Sequence, residues 1–134
     1  MNVIDLSGRR AVVTGGASGI GLATARRLLD AKAAAVTLWD RDAGALALAT
    51  ESFGSNRAVY ARAVDVTDPG AVVQAAREAE CAMGGIDILV NSAGITGPNT
   101  TTWEYPLDDW RAVIDINLNG IFYCYNIHLR GIYF

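Results

Sequence analysis

The sequence has few of the residues that build metal sites, disulfide frameworks or histidine-based active sites. Its 134 residues include two cysteines, Cys81 and Cys124, and one histidine, His128. Because the cysteines stand far apart without metal-ligand spacing, we predict no metal site, no disulfide framework and reduced thiols. The histidine has no acid or nucleophile nearby in the chain, so we interpret it as structural or exposed.

Long apolar runs and an excess of basic charge are also missing. No apolar run approaches the roughly 20 residues of a membrane helix, and residues 1–10 lack the apolar segment of a signal peptide. The formal net charge of −3 at pH 7 disfavours a nucleic-acid partner, which would require a basic patch. The composition is that of one globular domain. We expect a cytoplasmic protein with no membrane and no nucleic-acid partner.

Strand and helix patterns alternate along the chain. Strands are predicted at Ala11–Thr14, Ala35–Trp39, Ala58–Val64 and Ile86–Val90. Helices are predicted at Ile20–Ala31, Asp42–Phe53, Asp68–Met83 and Leu107–Leu118. In the first helix, Ile20, Ala23 and Leu28 share one apolar face. This alternation predicts an α/β fold with a doubly wound parallel sheet, whose ligands bind beyond the carboxyl ends of the strands.

A glycine-rich turn joins the first strand to the first helix: Thr14-Gly15-Gly16-Ala17-Ser18-Gly19-Ile20-Gly21. Glycines in this spacing let the backbone turn tightly and approach a ligand closely. The helix that follows directs unsatisfied N–H groups and the positive end of its dipole at that ligand. The turn is therefore predicted to hold a pyrophosphate, with a purely geometric use of glycine as the alternative.

Asp40 ends the second strand, nineteen residues beyond Gly21. A carboxylate there accepts hydrogen bonds from both ribose hydroxyls of an adenosine and repels a 2′-phosphate, which favours NAD over NADP. The alternative is that Asp40 caps the helix that begins near Asp42. Arg41 complicates the choice of cofactor, because a guanidinium beside the ribose is able to bind a 2′-phosphate.

Polar or small residues also follow the third and fourth strands. Asp65 is placed to accept the adenine amino group beside the apolar Val66, or else to cap a local turn. Asn91-Ser92-Ala93-Gly94 allows close approach of backbone and cofactor, or is an ordinary turn. Asn117 lies late in the last helix, where an asparagine is mildly unfavourable and so suggests a positional role. A helix end before Gly120 is the rival interpretation.

Together these stretches resemble the short-chain dehydrogenase/reductase family over roughly Leu6 to Tyr123. The resemblance implies a Rossmann-type fold, a nicotinamide cofactor, and hydride transfer between an alcohol and a carbonyl compound. It implies Asn117 as the catalytic asparagine that holds a water in a proton relay. The cofactor-binding residues that it implies are Gly15, Ser18, Gly19, Ile20, Gly21, Asp40, Asp65, Val66, Asn91, Ala93 and Gly94.

The chain also departs from the family. The family's reaction requires a serine and a Tyr-x-x-x-Lys farther along the chain, and no serine or lysine follows Asn117. Where the family usually ends the first helix with glycine, this chain has Ala31-Lys32-Ala33-Ala34. We expect an incomplete dinucleotide-binding domain over residues 1–123, truncated after about four strands. Residues 124–134 are expected to form a divergent tail, because Gly131 and its aromatic, β-branched neighbours are poor helix formers.

Three functions stay open at this stage. The first is an NAD-dependent oxidoreductase of which this chain is a truncated and inactive form. The second is a nucleotide-binding module without catalysis. The third is an interaction module that pairs with full-length relatives or with itself, through the helix around Trp110 and Asn117 and through the fourth strand at the sheet edge.

Overall fold

The computed structural model describes residues 4–128 as alternating strands and helices. The strands are β1 (Arg10–Thr14), β2 (Ala35–Asp40), β3 (Val59–Ala63) and β4 (Ile88–Asn91). The helices are α1 (Gly19–Asp30), α2 (Ala43–Glu51), α3 (Pro69–Met83), α4 (Leu107–Ile114) and α5 (Gly120–His128). A π-helical turn, Asp115–Asn119, joins α4 to α5.

The four strands form one parallel sheet in the order β3-β2-β1-β4. Thr14 lies opposite Trp39 of β2 and opposite Asn91 of β4, so the carboxyl ends of these strands are level. Chain order and spatial order reverse between β1 and β4, as they do in doubly wound sheets. The predicted α/β Rossmann-like fold is therefore confirmed, and among the described residues β3 and β4 are the two edges of the sheet.

A hydrophobic core lies on each face of the sheet. Successive side chains of a strand point to opposite faces, so Val12 packs with α3 and α5 whereas Val13 packs with α1 and α2. Both valines have no exposed surface. The central strands β1 and β2 are nearly continuous apolar sequences because both of their faces are covered.

The predicted apolar face of α1 is wrong at Ile20 and Ala23. Ile20 is 80% exposed and Ala23 is exposed too, whereas the buried residues of the helix are Gly21 and Ala25. Ile20 falls in the first helical turn, beyond the edge of the sheet, so no core is available to cover it. The predicted start of the fourth strand is also wrong, because Asp87 pairs with Arg10 ahead of β4 instead of extending the strand.

Side chains fix several helix ends as the sequence predicts. Asp42 accepts a hydrogen bond from the Ala45 N–H at 2.9 Å, and Asp68 accepts one from the Ala71 N–H at 3.0 Å, so both are N-caps. Gly84 ends α3 in the left-handed conformation. At the end of α1 that conformation is taken by Lys32, with φ of 72°, where the family usually has glycine.

The last helices continue farther than the sequence predicts. The helical backbone runs through the π turn and α5 to His128, so the departure from helix expected at Cys124 does not occur there. Cys124 is buried against α3 and the sheet, and burial raises the pKa of its thiol to about 11. Gly131, on which that expectation rested, and the side chain of His128 lie outside the described residues.

Candidate functional site

A cleft of about 340 Å³ opens beyond the carboxyl ends of the strands. The connections that leave all four strands contribute to its walls, as expected for a doubly wound sheet. Ten of the residues predicted for cofactor binding line it: Gly15, Ser18, Gly19, Ile20, Gly21, Asp40, Asp65, Val66, Ala93 and Gly94. The structure thus brings together residues spread over 80 positions of the sequence (15 to 94).

The glycine turn packs closely against the loop that follows β4. Gly15 has φ of 62°, and a Cβ added there would lie 2.9 Å from the backbone N and Cα of Ala93. Gly21 packs directly on the carbonyl group of Gly15, where a side chain would collide. Both positions require glycine, because only a residue without Cβ permits this approach.

The start of α1 faces the cleft with unused hydrogen-bond donors. Ser18 is the N-cap in an extended conformation, and its side chain makes no capping hydrogen bond. The first intrahelical bond is donated by Leu22 to the Ser18 carbonyl at 3.1 Å. The N–H groups of residues 19–21 therefore precede the helical ladder, and donors in this position, together with the helix dipole, favour a negatively charged ligand.

Asp40 connects the glycine turn to the start of α2. Its Oδ2 accepts a hydrogen bond from the Ala17 N–H at 3.3 Å, and its Oδ1 accepts one from the Asp42 N–H at 3.1 Å. The residue is partly exposed and lines the cleft. The N-cap of α2 is Asp42 and not Asp40. Asp40 supports the cap only indirectly, through its hydrogen bond from the Asp42 N–H.

Asp65 is held as a carboxylate two residues after β3, the strand that pairs with β2. Its Oδ1 accepts from the backbone N–H of Thr67 at 2.9 Å and from the Thr67 hydroxyl at 2.7 Å. These bonds lower the pKa of Asp65 below its ordinary value, and the charge of Arg41 lowers it further. Because both bonds use Oδ1, the second carboxylate oxygen keeps its capacity to accept from a ligand.

Thr14 holds the two halves of the cleft together, a function that the sequence did not reveal. Its buried Oγ1 accepts hydrogen bonds from the N–H groups of Ser92 and Ala93, at 3.1 Å and 3.0 Å. The signal in the sequence is a hydroxyl at the buried end of a strand, directly before the glycines. Asn91, by contrast, lies opposite Thr14 in the sheet register and outside the cleft lining.

Asn117 is turned toward the loop after β4. Its Oδ1 accepts from the Ile95 N–H and its Nδ2 donates to the Ile95 carbonyl, both at 2.9 Å. It lies within the π-helical turn, and such turns are frequent at functional sites. Asn117 does not line the cleft, whereas its neighbour Ile116 and its partner Ile95 do. Asn117 therefore holds Ile95, a residue of the cleft wall, in place.

Sequence reasoning missed several residues of the lining. Trp39, Val64, Ser92, Ile95 and Ile116 line the cleft without having been assigned a role. Each is a direct neighbour in the chain of a residue predicted to bind the cofactor or to act in catalysis. Adjacency to Asp40, Asp65, Gly94 or Asn117 was the available signal, but strand alternation alone does not tell which neighbour reaches the cleft.

Two further findings concern residues 4–128 only. No helix in this range is both long and apolar enough to cross a membrane. No group of three or more histidine, cysteine, aspartate or glutamate side chains in the same range is arranged to hold a metal ion.

The fold is that of a Rossmann-like α/β protein, with a glycine turn at one wall of the cleft. The sequence pattern of the family described as "short chain dehydrogenase" matches residues 9–132. The chain therefore belongs to the short-chain dehydrogenase/reductase family, an oxidoreductase family that includes NAD-dependent dehydrogenases.

Individual relatives agree with this assignment. The chain is 48% identical over 118 residues to a 2-dehydro-3-deoxy-L-rhamnonate dehydrogenase (NAD(+)) of Sphingomonas sp. (strain SKA58), covering 88% of this chain and 46% of that protein. It is 44% identical over 124 residues to a cis-4-hydroxycyclohexanecarboxylate dehydrogenase of Sinomonas cyclohexanicum, covering 91% and 49%. The chain thus spans about half the length of these curated relatives.

Solved structures give the same result. An NAD+-bound xylitol dehydrogenase superposes with a TM-score of 0.88 at 32% identity, covering 93% of this chain and 48% of that one. The structure of gox2181 superposes with a TM-score of 0.90 at 34% identity, covering 95% and 49%.

Proposed function

We propose that this chain is the nicotinamide-dinucleotide-binding part of an oxidoreductase that transfers hydride between NAD(H) and an alcohol or carbonyl substrate. The observation that carries the proposal is the cleft, where the glycine turn, Asp40 and Asp65 meet beside the N-terminus of α1. A bound nicotinamide dinucleotide supplies the hydride acceptor or donor of such a reaction. The dehydrogenase names of the relatives support the same reaction class.

In this proposal the chain's own residues bind and orient the dinucleotide. The N–H groups of residues 19–21 and the Ser18 hydroxyl hold the pyrophosphate. Asp40 accepts from the ribose hydroxyls, and Asp65 with Val66 holds the adenine. Ala93 and Gly94 leave room for the second ribose, whereas Asn91 supports that loop from within the sheet.

The balance of charge at the ribose favours NAD over NADP. The Asp40 carboxylate is fixed by two backbone N–H groups, so it does not swing away readily from a 2′-phosphate. Arg41, the rival residue, also lines the cleft, and its charge lowers the pKa of Asp65. An Asp40→Asn variant is expected to lower NAD affinity about tenfold and to reduce the ratio of NAD affinity to NADP affinity, which is the cofactor preference. The control is Asp42→Asn, which preserves a helix cap and should leave this preference unchanged. An unchanged preference in Asp40→Asn would remove this assignment.

Proton transfer needs groups that residues 1–134 do not contain. Lys32 is the chain's single lysine and lies in the first third of the sequence, so no tyrosine is followed by a lysine four residues later. For the polypeptide of residues 1–134 alone we therefore propose dinucleotide binding without measurable turnover, since general acid–base catalysis contributes about 10²–10⁴ in rate. Asn117 positions Ile95 at the cleft in this polypeptide.

Ile20 allows the pyrophosphate assignment to be tested without disturbing the core, because its side chain is exposed at the start of α1. Ile20→Glu places a negative charge where the two phosphates are proposed to bind, and should weaken NAD binding about tenfold. The same charge stabilises a helix N-terminus by about 0.3–1 kcal/mol, so the melting temperature should not fall.

The control is Ile20→Gln, which has nearly the same shape and no charge, and should keep most of the affinity. Isothermal titration calorimetry and a thermal melt measure both properties. Equal NAD affinity in the two variants would refute the pyrophosphate site, and the absence of NAD binding in the unmodified chain would refute the function.

A second property is supported by the surface of β4, α4 and α5. The edge strand β3 carries Tyr60 and Arg62, and its residues after Val59 are exposed, whereas β4 is the apolar sequence Ile-Leu-Val-Asn. The helices expose further large apolar side chains, namely Leu107, Trp110, Leu118, Phe122 and Tyr125. Apolar edges and patches of this kind promote association, so we propose that this surface pairs with a second copy of the chain.

Sedimentation velocity tests the association. Trp110→Lys should shift the polypeptide toward monomer, because it places a charge on this surface. Trp103→Lys is the matched control, since Trp103 is also exposed but lies in the loop before α4. Equal sedimentation coefficients of the two variants and the unmodified chain would exclude this surface as the site of self-association.

A further inference from the structure

The indole of Trp39 carries a buried donor that has no partner among the described residues. Trp39 is 2% exposed, and its Nε1–H makes no hydrogen bond within the described part of the chain. Indole nitrogen is a donor only, and a donor buried without an acceptor destabilises a protein. Since buried side-chain donors in native proteins are almost always paired, this N–H needs an explanation.

Its position connects the core to the cleft. Trp39 immediately precedes Asp40 in β2, and its carbonyl accepts a hydrogen bond from the Gly16 N–H at 3.0 Å in the glycine turn. In the core it packs in one cluster with Val64 and Val66. All three of these residues also line the cleft. The indole therefore lies at the boundary between the core and the end of the cleft where Asp65 is found.

The groups at this end of the cleft complement a purine base. Adenine carries an amino group, which is a donor, beside ring nitrogens, which are acceptors. Asp65 supplies an acceptor for the amino group, with the second oxygen of its carboxylate. An apolar wall formed by Val66 and Ile116 suits the faces of the base. Among the described side chains at this end of the cleft, Trp39 has a donor that makes no hydrogen bond.

We propose that Trp39 is a base-recognition residue whose indole N–H donates a hydrogen bond to a ring nitrogen of the adenine in the dinucleotide. This inference rests on the proposed function. The Nε1 atom has less than 1 Å² of accessible surface in the free chain. The bond therefore forms as Val64 and Val66 adjust around the base, and not in the free protein. The donor is left unpaired in the free chain and is satisfied when the nucleotide binds.

Removing a donor that serves a ligand should weaken the binding of that ligand. Trp39→Phe keeps an aromatic side chain and deletes the N–H. The smaller ring also leaves a cavity in the core, which lowers stability, so NAD affinity is compared at a temperature where the free variant is folded. Its NAD affinity should fall about threefold to tenfold, the range expected for one hydrogen bond. Trp103→Phe, at an exposed tryptophan in the loop before α4, is the matched control and should leave NAD affinity unchanged.

Fragments of the dinucleotide locate the effect. Adenosine monophosphate contains the base and should lose affinity in Trp39→Phe by the same factor as NAD. Nicotinamide mononucleotide lacks the base and should bind both proteins equally. If Trp39→Phe weakened both mononucleotides alike, the residue would act through packing alone and the proposal would be wrong.

An NMR measurement needs no substitution and so covers the case in which Trp39→Phe fails to fold. The chain has three tryptophans, of which Trp103 and Trp110 are exposed, so the indole proton that exchanges most slowly belongs to Trp39. This resonance should move downfield when NAD or adenosine monophosphate is added. NAD binding with no such shift, or with equal affinity in Trp39→Phe, would overturn this inference and leave the proposed function intact. If the unmodified chain binds no NAD, the proposed function fails as well.

Discussion

Thr14 and Ala93 are joined by a hydrogen bond of 3.0 Å from the Ala93 N–H to the buried Thr14 hydroxyl oxygen. The same oxygen accepts from the N–H of Ser92 at 3.1 Å. One side chain of β1 thus fixes the loop after β4 against the glycine turn. The two sides of the cleft are held at a set distance by groups that belong to the fold and not to any ligand.

Thr14→Val should destabilise the chain by about 2–4 kcal/mol, because the substitution preserves shape and leaves two backbone N–H groups without an acceptor. Thr37→Val is the control. Thr37 is equally buried on the neighbouring strand, but its hydroxyl donates only to the sulfur of Met83 at 3.3 Å, a weak acceptor. Urea unfolding monitored by circular dichroism measures both. If the two variants lost similar amounts of unfolding free energy, the two hydrogen bonds to Thr14 would not contribute to stability beyond the effect of replacing a buried threonine by valine.

Asn117→Ala should release the loop after β4. Removing the amide breaks both hydrogen bonds to Ile95, so the Ile95 amide should exchange with solvent deuterium about tenfold faster. Asn119→Ala, in the same π-helical turn, removes a bond to Asp115 and serves as the control. If both variants left exchange at Ile95 unchanged, the amide of Asn117 would not restrain the loop.

Asp87→Asn should lower stability near neutral pH. Arg10 donates to Asp87 Oδ2 from Nε at 2.8 Å and from the backbone N–H at 2.9 Å. These hydrogen bonds hold the pKa of Asp87 below its ordinary value of 3.8. A carboxyl group whose pKa is depressed by folding stabilises the fold above its unfolded-state pKa, and the contribution disappears as pH falls through the folded-state pKa.

The difference in unfolding free energy between the unmodified chain and Asp87→Asn should therefore be constant from pH 7 to about 5 and shrink below about pH 4. Urea titrations at several pH values measure it. Asp108→Asn is the control, because Asp108 is almost fully exposed beside Arg111. A difference that grew toward acidic pH would contradict this assignment of the ion pair.

Lys32→Gly should stabilise the chain by about 1 kcal/mol, because Lys32 occupies the left-handed region that is costly for a residue with a Cβ. The N–H groups of Lys32 and Ala33 donate back to the carbonyls of Leu29 and Leu28, each at 3.0 Å, and glycine would preserve that end of the helix. Lys32→Ala is the control: it removes the exposed ion pair with Asp5 and keeps the strain. Equal melting temperatures for Lys32→Gly and Lys32→Ala would show that the conformation carries no penalty.

Much of the architecture could be predicted from local patterns. The caps Asp42 and Asp68, the glycine that ends α3 and the apolar strands β1 and β2 each follow from neighbouring residues, and the structure confirms them. Boundaries were less certain. The start of β4 depends on Asp87 pairing with Arg10, 77 positions away in the chain, and no local pattern contains that information.

The sequence by itself determined the order of strands and helices, the glycine turn and the side chains placed at the strand ends, because these follow from short-range sterics, capping and hydrophobic periodicity. Only the tertiary structure decided how those ends meet. It placed the Thr14 hydroxyl where it connects two loops and turned the Asn117 amide onto Ile95. It also buried the Trp39 indole in one cluster with Val64 and Val66, without a partner in residues 4–128. Such contacts join residues far apart in the chain, and their geometry exists only once the sheet has formed.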